Sequence, residues 1–507
     1  MNDTSDSLGI ALISLINTQW ATKELYDRCS SVEWIKKNVK KISHDKLCHF
    51  SSDQTEDLSI YQKLFTDTSH VTCEIFPFLD ECVKIFKDCD HVLFLYTDAP
   101  FNDPQVLKSL MDLHINEMAE YTFTENYPEG VGAEILSYPT LKKLRNIASG
   151  NNEAFQRESI SKIIHFDINQ YDVEVLVSQV DQRKERLRLT CDSQRDYLIT
   201  QKAFKLLSEE QKAPSLQALY ELIHSHPEFM RSTPAYVEIE ITNDCQCECV
   251  ICPRTHLMKR KVDFMPLDKY QSIINGLKDL CDEVVVALTL MGEPTLAPEL
   301  YDMIEYSLSV EGITLILETN GILLDKPLVD RLVALDSKRL IIIVALDSPT
   351  PDAYQTIRGV DHLKTVENHA SYLLEKRPEN TYLQILRLKE NDELLDSYYL
   401  KWAAFKDNII LQKYNPYRNL LVDRKGADLS PLKRFSCWHL KRDLSILVDG
   451  TVAFCKQDLN GERSVGNVFE EGVEKVWDKL NPFFIKDHKG QIDPFCEHCD
   501  EWFTYNF

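Results

Sequence analysis

Residues 237–252 read VEIEITNDCQCECVIC, and this stretch decides how the second half of the chain is interpreted. In its first five positions apolar residues alternate with two glutamates, the period-two pattern of a strand with one apolar face. Cys245, Cys249 and Cys252 follow directly, spaced C-x3-C-x2-C. Because one short loop can wrap a single metal centre, the pattern predicts a strand that delivers three thiolates to one site.

Further strand-like segments follow this loop, and helical segments such as 267–279 and 328–335 separate them. The expected strands lie at 283–290, 313–317, 340–346, 383–388 and 409–414. Six strand–helix units in series predict an α/β fold with a parallel sheet that curves into a partial (β/α)6 barrel. In such barrels the chemistry sits at the C-terminal ends of the strands, where the motifs described next are found.

Three thiolates can hold three irons of a four-iron cube and leave the fourth iron open to a ligand. A zinc site is the alternative, but zinc normally takes four ligands in paired C-x2-C knuckles. His256 is available as a fourth ligand for zinc. Cys247 lies between the expected ligands and is predicted to point away as a spare thiol.

The C-x3-C-x2-C loop after a strand resembles the radical S-adenosylmethionine superfamily, and the resemblance covers about residues 235–430. Gly292-Glu293-Pro294 resembles the motif that binds the amino group of the cofactor, since a carboxylate suits an ammonium group. Thr319-Asn320-Gly321 and Ala345-Leu346-Asp347-Ser348 resemble the ribose-side and fourth-strand elements. Met291 stands where the family usually has another glycine.

The resemblance implies a [4Fe-4S] cluster on Cys245, Cys249 and Cys252, where S-adenosylmethionine is cleaved to methionine and a hydrogen-abstracting 5′-deoxyadenosyl radical. It also implies a reducing partner such as flavodoxin or ferredoxin. The residues expected to bind S-adenosylmethionine are Gly292, Glu293, Pro294, Thr319, Asn320 and Asp347.

A second group of cysteines lies near the end of the chain, at Cys437, Cys455, Cys496 and Cys499. By spacing alone, zinc and an iron–sulfur cluster suit this group almost equally. The pattern C-x12-G-x4-C with a final C-x2-C resembles the SPASM/Twitch extensions of radical enzymes, in the single-cluster form. The resemblance implies one fully ligated auxiliary [4Fe-4S] cluster that accepts the electron left on a substrate radical. This region is expected to be short, with few helices, and to need a metal staple.

The first 207 residues show another α/β pattern, with strands expected at 10–16, 71–76 and 91–96 and helices at 105–114 and 195–207. Asp98, Asp192 and the intervening Gln156-Arg157-Glu158 resemble nucleotidyltransferases of the glycosyltransferase-A type. The resemblance implies a glycosyltransferase-A/Rossmann-like domain and a divalent metal on the two aspartates. Residues 17–23, however, read NTQWATK, without the glycines of a phosphate loop, which favours an inactive domain.

The expected organisation is a nucleotidyltransferase-like domain at 1–207, a connector at 208–232, a radical core at 233–430 and an auxiliary-cluster domain at 431–507. This order resembles the spiro-SPASM group. A net charge of −23 argues against nucleic acid as a partner. No apolar run approaches the length of a membrane span, and the start lacks the basic region of a signal peptide, so we expect a cytoplasmic protein with reduced thiols.

The leading hypothesis is a radical enzyme that oxidises or modifies a peptide, sugar or small metabolite, with the auxiliary cluster as electron acceptor. The alternatives are a metal-dependent nucleotidyltransferase with a regulatory iron–sulfur half and a non-catalytic scaffold stapled by zinc. Asp347, Glu318 and Arg387 are candidates for a substrate base. The sequence does not identify the substrate.

Overall fold

The computed structural model describes residues 6–15, 18–55, 58–428 and 430–504. The chain forms two compact units, Met1–Ser232 and Thr233–Phe507. Ile16 and Asn17, which belong to the expected first strand and to the loop after it, lie outside the described residues. Within the described part of the chain, no helix has both the length and the apolar character needed to cross a membrane.

The first unit contains nine strands and eight helices among its described residues. The strands are β1 (Leu8–Ser14), β2 (Glu24–Tyr26), β3 (Cys29–Ser30), β4 (Lys46–Ser51), β5 (Thr68–His70), β6 (His91–Tyr96), β7 (Tyr121–Glu125), β8 (Glu134–Ser137) and β9 (Val173–Val177). The helices are α1 (Ser31–Val39), α2 (Leu58–Leu64), α3 (Ile75–Ile85), α4 (Pro104–Asn116), α5 (Tyr138–Ile147), α6 (Ser159–Phe166), α7 (Gln194–Glu209) and α8 (Leu216–Ser225).

Seven of these strands form one sheet in the order β5-β4-β1-β6-β8-β7-β9. The pairs β5–β4, β4–β1 and β1–β6 are parallel, whereas β8 runs antiparallel to both of its neighbours. The arrangement is the Rossmann-like sheet that the sequence predicted. The strand expected at 71–76 is wrong: the paired strand ends at His70, and helix α3 begins at Ile75 because Phe78, Leu79 and Cys82 form its buried stripe.

The second unit contains nine strands and eleven helices among its described residues. The strands are β10 (Tyr236–Ile239), β11 (Val284–Leu288), β12 (Ile313–Thr319), β13 (Leu340–Ala345), β14 (Thr381–Arg387), β15 (Ile409–Lys413), β16 (Asp443–Ile446), β17 (Thr451–Ala453) and β18 (Gly466–Asn467). The helices are α9 (Pro253–Leu257), α10 (Leu267–Leu280), α11 (Leu300–Ser309), α12 (Lys326–Ala334), α13 (Pro351–Arg358), α14 (Leu363–Lys376), α15 (Leu395–Lys401), α16 (Trp438–Arg442), α17 (Val468–Glu471), α18 (Val473–Asp478) and α19 (Asn481–His488).

Strands β10 to β15 pair in chain order, and every pair among them is parallel. The sheet does not close, since its order runs from β15 at one edge to β18 at the other. The prediction of a partial (β/α)6 barrel is therefore confirmed. The helices cover one face of the sheet: α10, for example, buries Tyr270, Ile273, Ile274 and Leu277 at helical spacing against it.

The C-terminal region extends the barrel sheet. Strand β16 pairs in parallel with β10, and β17 and β18 follow antiparallel. The expectation of few helices there is wrong, because α16 to α19 all lie between residues 438 and 488. Burial of Val473, Val476 and Trp477 of α18 in the barrel core explains why so short a region can form helices.

A buried ion pair joins the start of the barrel to the C-terminal region. Glu240, whose side chain is fully buried, accepts hydrogen bonds from both terminal nitrogens of Arg260 at 2.5 and 2.7 Å. Arg260 also donates through Nε to the carbonyl of Leu459, and Glu240 accepts from the backbone N–H of Val448. One bidentate pair thus ties β10, the segment after the cysteine loop and the C-terminal region together.

We expect Arg260→Met to lower the free energy of unfolding by about 3–5 kcal/mol, because it leaves the buried carboxylate of Glu240 without its partner. The matched control is Lys259→Met, which removes an exposed ion pair with Glu462 and should cost about 0–1 kcal/mol. Urea-induced unfolding of the intact chain measures both. Equal effects of the two substitutions would contradict this role of Arg260.

Candidate active site

The cysteine loop leads from β10 to α9 and is braced by the end of α13. The backbone N–H groups of Glu248 and Val250 donate to the carbonyls of Arg358 and Ile357 at 3.2 and 3.0 Å. Gly359 ends α13 with φ of +74°, and a Cβ there would lie 2.6 Å from the carbonyl oxygen of Glu248. A glycine is needed at this position because of both its conformation and the close approach of the loop.

Cys245, Cys249 and Cys252 line one cavity of about 280 Å³ at the C-terminal ends of the barrel strands. Cys247 lines the same cavity, so the expectation that it points away is wrong. The tight loop places its thiol between two others: hydrogen bonds from Cys247 lower the pKa of Cys245 and, together with the Arg358 guanidinium, lower the pKa of Cys249 to about 6. Thiolates are the form in which cysteine binds iron.

Glu293 lines the same cavity as the cysteine loop. Its carboxylate accepts hydrogen bonds from the hydroxyl of Thr319 at 2.6 Å, from the backbone N–H of Asn320 at 2.7 Å and from the hydroxyl of Thr295 at 2.5 Å. These contacts tie the end of β11 to the end of β12. A buried carboxylate held in this way at the cavity of the cysteine loop suits an ammonium group.

The backbone before Glu293 is unusual at two positions. A Cβ on Gly292 would lie 1.9 Å from the carbonyl oxygen of Thr242, so only glycine lets the two loops approach this closely. Leu290 has φ of +82°, a conformation that costs a non-glycine residue about 1–3 kcal/mol. Leu290, the residue with this left-handed backbone, directly precedes Met291, where the family usually has a glycine.

The remaining expected site residues lie at three different places. Thr319 and Asn320 line the cavity, and the side-chain amide of Asn320 donates to the sulfur of Cys245 at 3.8 Å. Pro294 is buried and begins a short 3-10 turn. Asp347 is also buried: one oxygen accepts from the backbone N–H of Leu386 at 2.9 Å, and the other lies 2.5 Å from Arg358.

Asp347 therefore acts on the cavity through Arg358, whose guanidinium lies 3.9 Å from the sulfur of Cys249. Burial would lower the pKa of Arg358, but Asp347 and the neighbouring thiols raise it, so this side chain is a permanent positive charge beside the cysteine loop. His256, the fourth ligand of the zinc alternative, is exposed on α9.

The interior of the barrel below the cysteine loop has an apolar layer and a polar layer. Tyr236, Ala287, Ile316 and Ile343 pack together in the apolar layer. Two residues further along β10 and β12, Glu238 and Glu318 line the cavity above them. Desolvation raises the pKa of both carboxyl groups. Glu318 accepts a hydrogen bond from the hydroxyl of Thr289 at 2.8 Å, and the positive charge of Lys456 acts on the pKa of both carboxyl groups in the opposite direction to desolvation.

The four C-terminal cysteines also come together, because they line one small enclosed cavity. The backbone N–H of Cys437 donates to Asp487 at 2.7 Å, and Arg434 donates to the carbonyl of Cys496 at 2.8 Å. Burial raises the pKa of all four thiols, Cys437, Cys455, Cys496 and Cys499, so positive charge from a metal centre is needed to hold them as thiolates.

Lys456 and Glu501 line both the barrel cavity and the cavity of the four cysteines, and they therefore form the wall between them. Nζ of Lys456 lies 3.3 Å from the carboxylate of Glu501, which Lys413 also contacts at 2.5 Å. Sequence reasoning missed both wall residues. The sequence does place Lys456 directly after the expected ligand Cys455. Its sequence position alone, however, does not show the direction of the lysine side chain.

The two groups of cysteines suit iron–sulfur clusters better than single metal ions. Among the residues that the structure describes, no three Cys, His, Asp or Glu groups converge closely enough to hold one metal ion. A zinc ion needs four ligands within about 2.0–2.3 Å of one point, whereas a four-iron cube is held by cysteines spread around a larger body. The C-x3-C-x2-C ligands, with Cys247 beside them, line one cavity and four cysteines line the other, which is compatible with an open cluster and a closed one.

In the first unit, Asp98 and Asp192 lie at one cavity of about 150 Å³, as the resemblance to nucleotidyltransferases implied. The guanidinium of Arg157 lies between them, 2.6 Å from Asp98 and 3.5 Å from Asp192. The sequence placed Arg157 in the right region but did not show that its charge meets these two carboxylates.

Two family models match the second unit: the radical SAM superfamily over residues 239–399 and the SPASM iron–sulfur cluster-binding domain over residues 437–500. An uncharacterized protein of Treponema pallidum (strain Nichols) is 30% identical over 361 residues, which cover 69% of this chain and 98% of that protein.

Two solved structures are similar to parts of this chain. SuiB of Streptococcus suis bound to precursor peptide SuiA matches with 17% identity and a TM-score of 0.44, over 56% of this chain and 78% of that one. A cytidylyltransferase from Leptospira borgpetersenii serovar Hardjo-bovis (strain JB197) matches with 16% identity and a TM-score of 0.37, over 44% of this chain and 96% of that one.

The family models imply a four-iron cluster, S-adenosylmethionine and an auxiliary iron–sulfur centre. The geometry of the two cysteine sites is compatible with these cofactors. The chain belongs to the radical SAM superfamily and carries a C-terminal SPASM domain.

Proposed function

We propose that this chain is a radical SAM oxidoreductase that removes hydrogen from a polar substrate, with the auxiliary cluster as electron acceptor. When bound, the cluster at Cys245, Cys249 and Cys252 and S-adenosylmethionine supply a 5′-deoxyadenosyl radical. The observation that carries the proposal is one shared wall: Lys456 and Glu501 separate the barrel cavity from the cavity of the four C-terminal cysteines.

Residues around the barrel cavity have distinct roles in this proposal. Glu293, fixed by Thr319 and Asn320, binds the amino group of S-adenosylmethionine by charge. Arg358, held by Asp347, keeps a positive charge near Cys249 and stabilises its thiolate. Gly292 leaves room for the two loops to meet.

The polar layer of the barrel supports a substrate with hydrogen-bond donors, such as a hydroxyl or amino group at the carbon that reacts. Glu238 and Glu318 present carboxyl oxygens to the cavity, and a bound donor would offset the cost of keeping them dehydrated. Each group already accepts one hydroxyl hydrogen bond, Glu238 from Ser445 at 2.7 Å and Glu318 from Thr289 at 2.8 Å, so both are candidates to take up a substrate proton.

The net oxidation is balanced by these groups. With the cofactors bound, a substrate carbon that bears a hydroxyl group would lose a hydrogen atom to the 5′-deoxyadenosyl radical and its hydroxyl proton to Glu318 or Glu238, and the cluster held by the four C-terminal cysteines would accept one electron across the Lys456–Glu501 wall. The product is a carbonyl compound. An outer-sphere role suits a cluster with four cysteine ligands, since such a cluster has no open iron for the substrate.

We expect Cys249→Ala to abolish reductive cleavage of S-adenosylmethionine and to remove about four of about eight irons, because three thiolates are needed to hold the open cluster. Cys496→Ala should remove a similar amount of iron but leave substrate-free cleavage close to the wild-type rate. Iron analysis and quantification of 5′-deoxyadenosine with dithionite measure both effects.

The control for these variants is Cys281→Ala, which changes a buried cysteine of the barrel core that lines neither cavity. It should keep all of the iron and the cleavage activity. Cleavage that survives in Cys249→Ala, or that is lost equally in Cys496→Ala and Cys249→Ala, would refute this division of tasks between the two sites.

We expect Lys456→Met to lower the reduction potential of the auxiliary cluster, because a buried positive charge favours the more negative reduced state. A shift of roughly 60 mV corresponds to about 1.4 kcal/mol for one electron, which a partly buried charge supplies. Redox titration followed by electron paramagnetic resonance measures this potential without substrate.

Two further variants serve as controls for the titration. Lys456→Arg keeps the charge and should keep the potential near its wild-type value. Lys479→Met removes a lysine that pairs with Glu471; neither residue lines either cavity, and the substitution should have no effect. An unchanged potential in Lys456→Met would show that the wall does not act on the cluster.

A further inference from the structure

Two guanidinium groups and four carboxylates form a network of ion pairs at the cavity of the first unit, which the exposed Glu158 also lines. Arg157 contacts Asp98 at 2.6 Å and Asp192 at 3.5 Å, and its Nε lies 3.4 Å from Glu129. Arg188 contacts Glu129 at 2.5 Å, Asp192 at 2.8 Å and Asp196 at 2.9 Å. Each of the two cations therefore bridges at least two acids.

Arg157 is firmly placed. Its side chain is 21% exposed, and its guanidinium lies 4.3 Å from the centroid of the Tyr96 ring. The hydroxyl of Tyr96 in turn donates to the backbone carbonyl of Arg157 at 3.0 Å. Asp98 is almost buried, so an uncompensated charge there would be costly, and Arg157 is the cation in hydrogen-bond contact with it.

We propose that Arg157 is an internal cation that takes the place of a divalent metal between Asp98 and Asp192. A guanidinium carries one permanent positive charge and cannot be deprotonated, so it neutralises the carboxylates at every accessible pH. A metal ion would have to displace it from both aspartates at once.

The same contacts decide what the cavity can bind. Both arginines that line it are engaged by carboxylates, and no lysine is among its lining residues. The described cavity therefore offers a nucleoside triphosphate neither a metal ion nor an uncommitted cation for its phosphates. On this proposal the first unit does not catalyse metal-dependent nucleotidyl transfer. This argues against the alternative hypothesis of a metal-dependent nucleotidyltransferase.

This proposal is tested by Mn²⁺ titration of the full-length protein with its clusters in place, with free Mn²⁺ followed by its electron paramagnetic resonance signal. The wild-type protein should bind no Mn²⁺ in a manner that depends on Asp98. Arg157→Ala should gain one Mn²⁺ per chain, since it removes the cation in contact with Asp98 and leaves Asp192 with Arg188 alone, and carboxylates are ligands that hard cations prefer. The double variant Arg157→Ala/Asp98→Asn should lose this gain.

Two controls separate the specific effect from a general loss of positive charge. Arg157→Lys keeps a cation near the aspartates and should bind no Mn²⁺. Arg183→Ala removes an exposed arginine that pairs with Glu125 and Asp181 in the same unit, and it should also bind none.

Binding of Mn²⁺ by the wild-type protein that Asp98→Asn removes would overturn the proposal, whether or not Arg157→Ala folds. A folded Arg157→Ala, judged by an unchanged thermal transition, that binds no Mn²⁺ would overturn it as well. The test is independent of the radical chemistry, because it uses neither S-adenosylmethionine nor a substrate.

Discussion

The parallel pairing of β10 with β11 on one side and with β16 on the other is the constraint on which the second unit depends. Pairing with β11 brings the cysteine loop and Glu293 to the same end of the sheet. Pairing with β16 brings the C-terminal cysteines to the barrel, so that Lys456 and Glu501 reach its interior. The buried Glu240–Arg260 pair fixes this arrangement, because it contacts β10 and the C-terminal region together.

Much of the barrel could be predicted from local patterns. Apolar runs and helical spacing placed β10 to β15, and a loop with three cysteines after the first strand placed the site. The Lys456–Glu501 wall could not be predicted, since it depends on contacts between distant segments, and the backbone of Leu290 and the direction of the Cys247 thiol could not, since they depend on local loop geometry that residue spacing does not define. The strand expected at 71–76 failed for a related reason: a short apolar run can belong to a helix that is buried on one side.

Charge compensation distinguishes the two units. In the first unit, arginines meet each buried acid of the described cavity, so the site is electrostatically closed. In the barrel, Glu318 accepts one hydrogen bond, from the hydroxyl of Thr289, lies within the influence of the Lys456 charge and lines the cavity. A polar substrate could add hydrogen bonds in the second site, whereas a ligand would have to compete with Arg157 in the first.

The central claim is that the chain holds one cluster with an open iron and one fully ligated cluster. Electron paramagnetic resonance of the dithionite-reduced protein, recorded before and after addition of S-adenosylmethionine, tests it most directly. The account predicts two cluster signals, of which S-adenosylmethionine shifts one, and Cys249→Ala removes the signal that shifts. The account would be contradicted if the protein held zinc in place of iron, or if S-adenosylmethionine left both cluster signals unchanged.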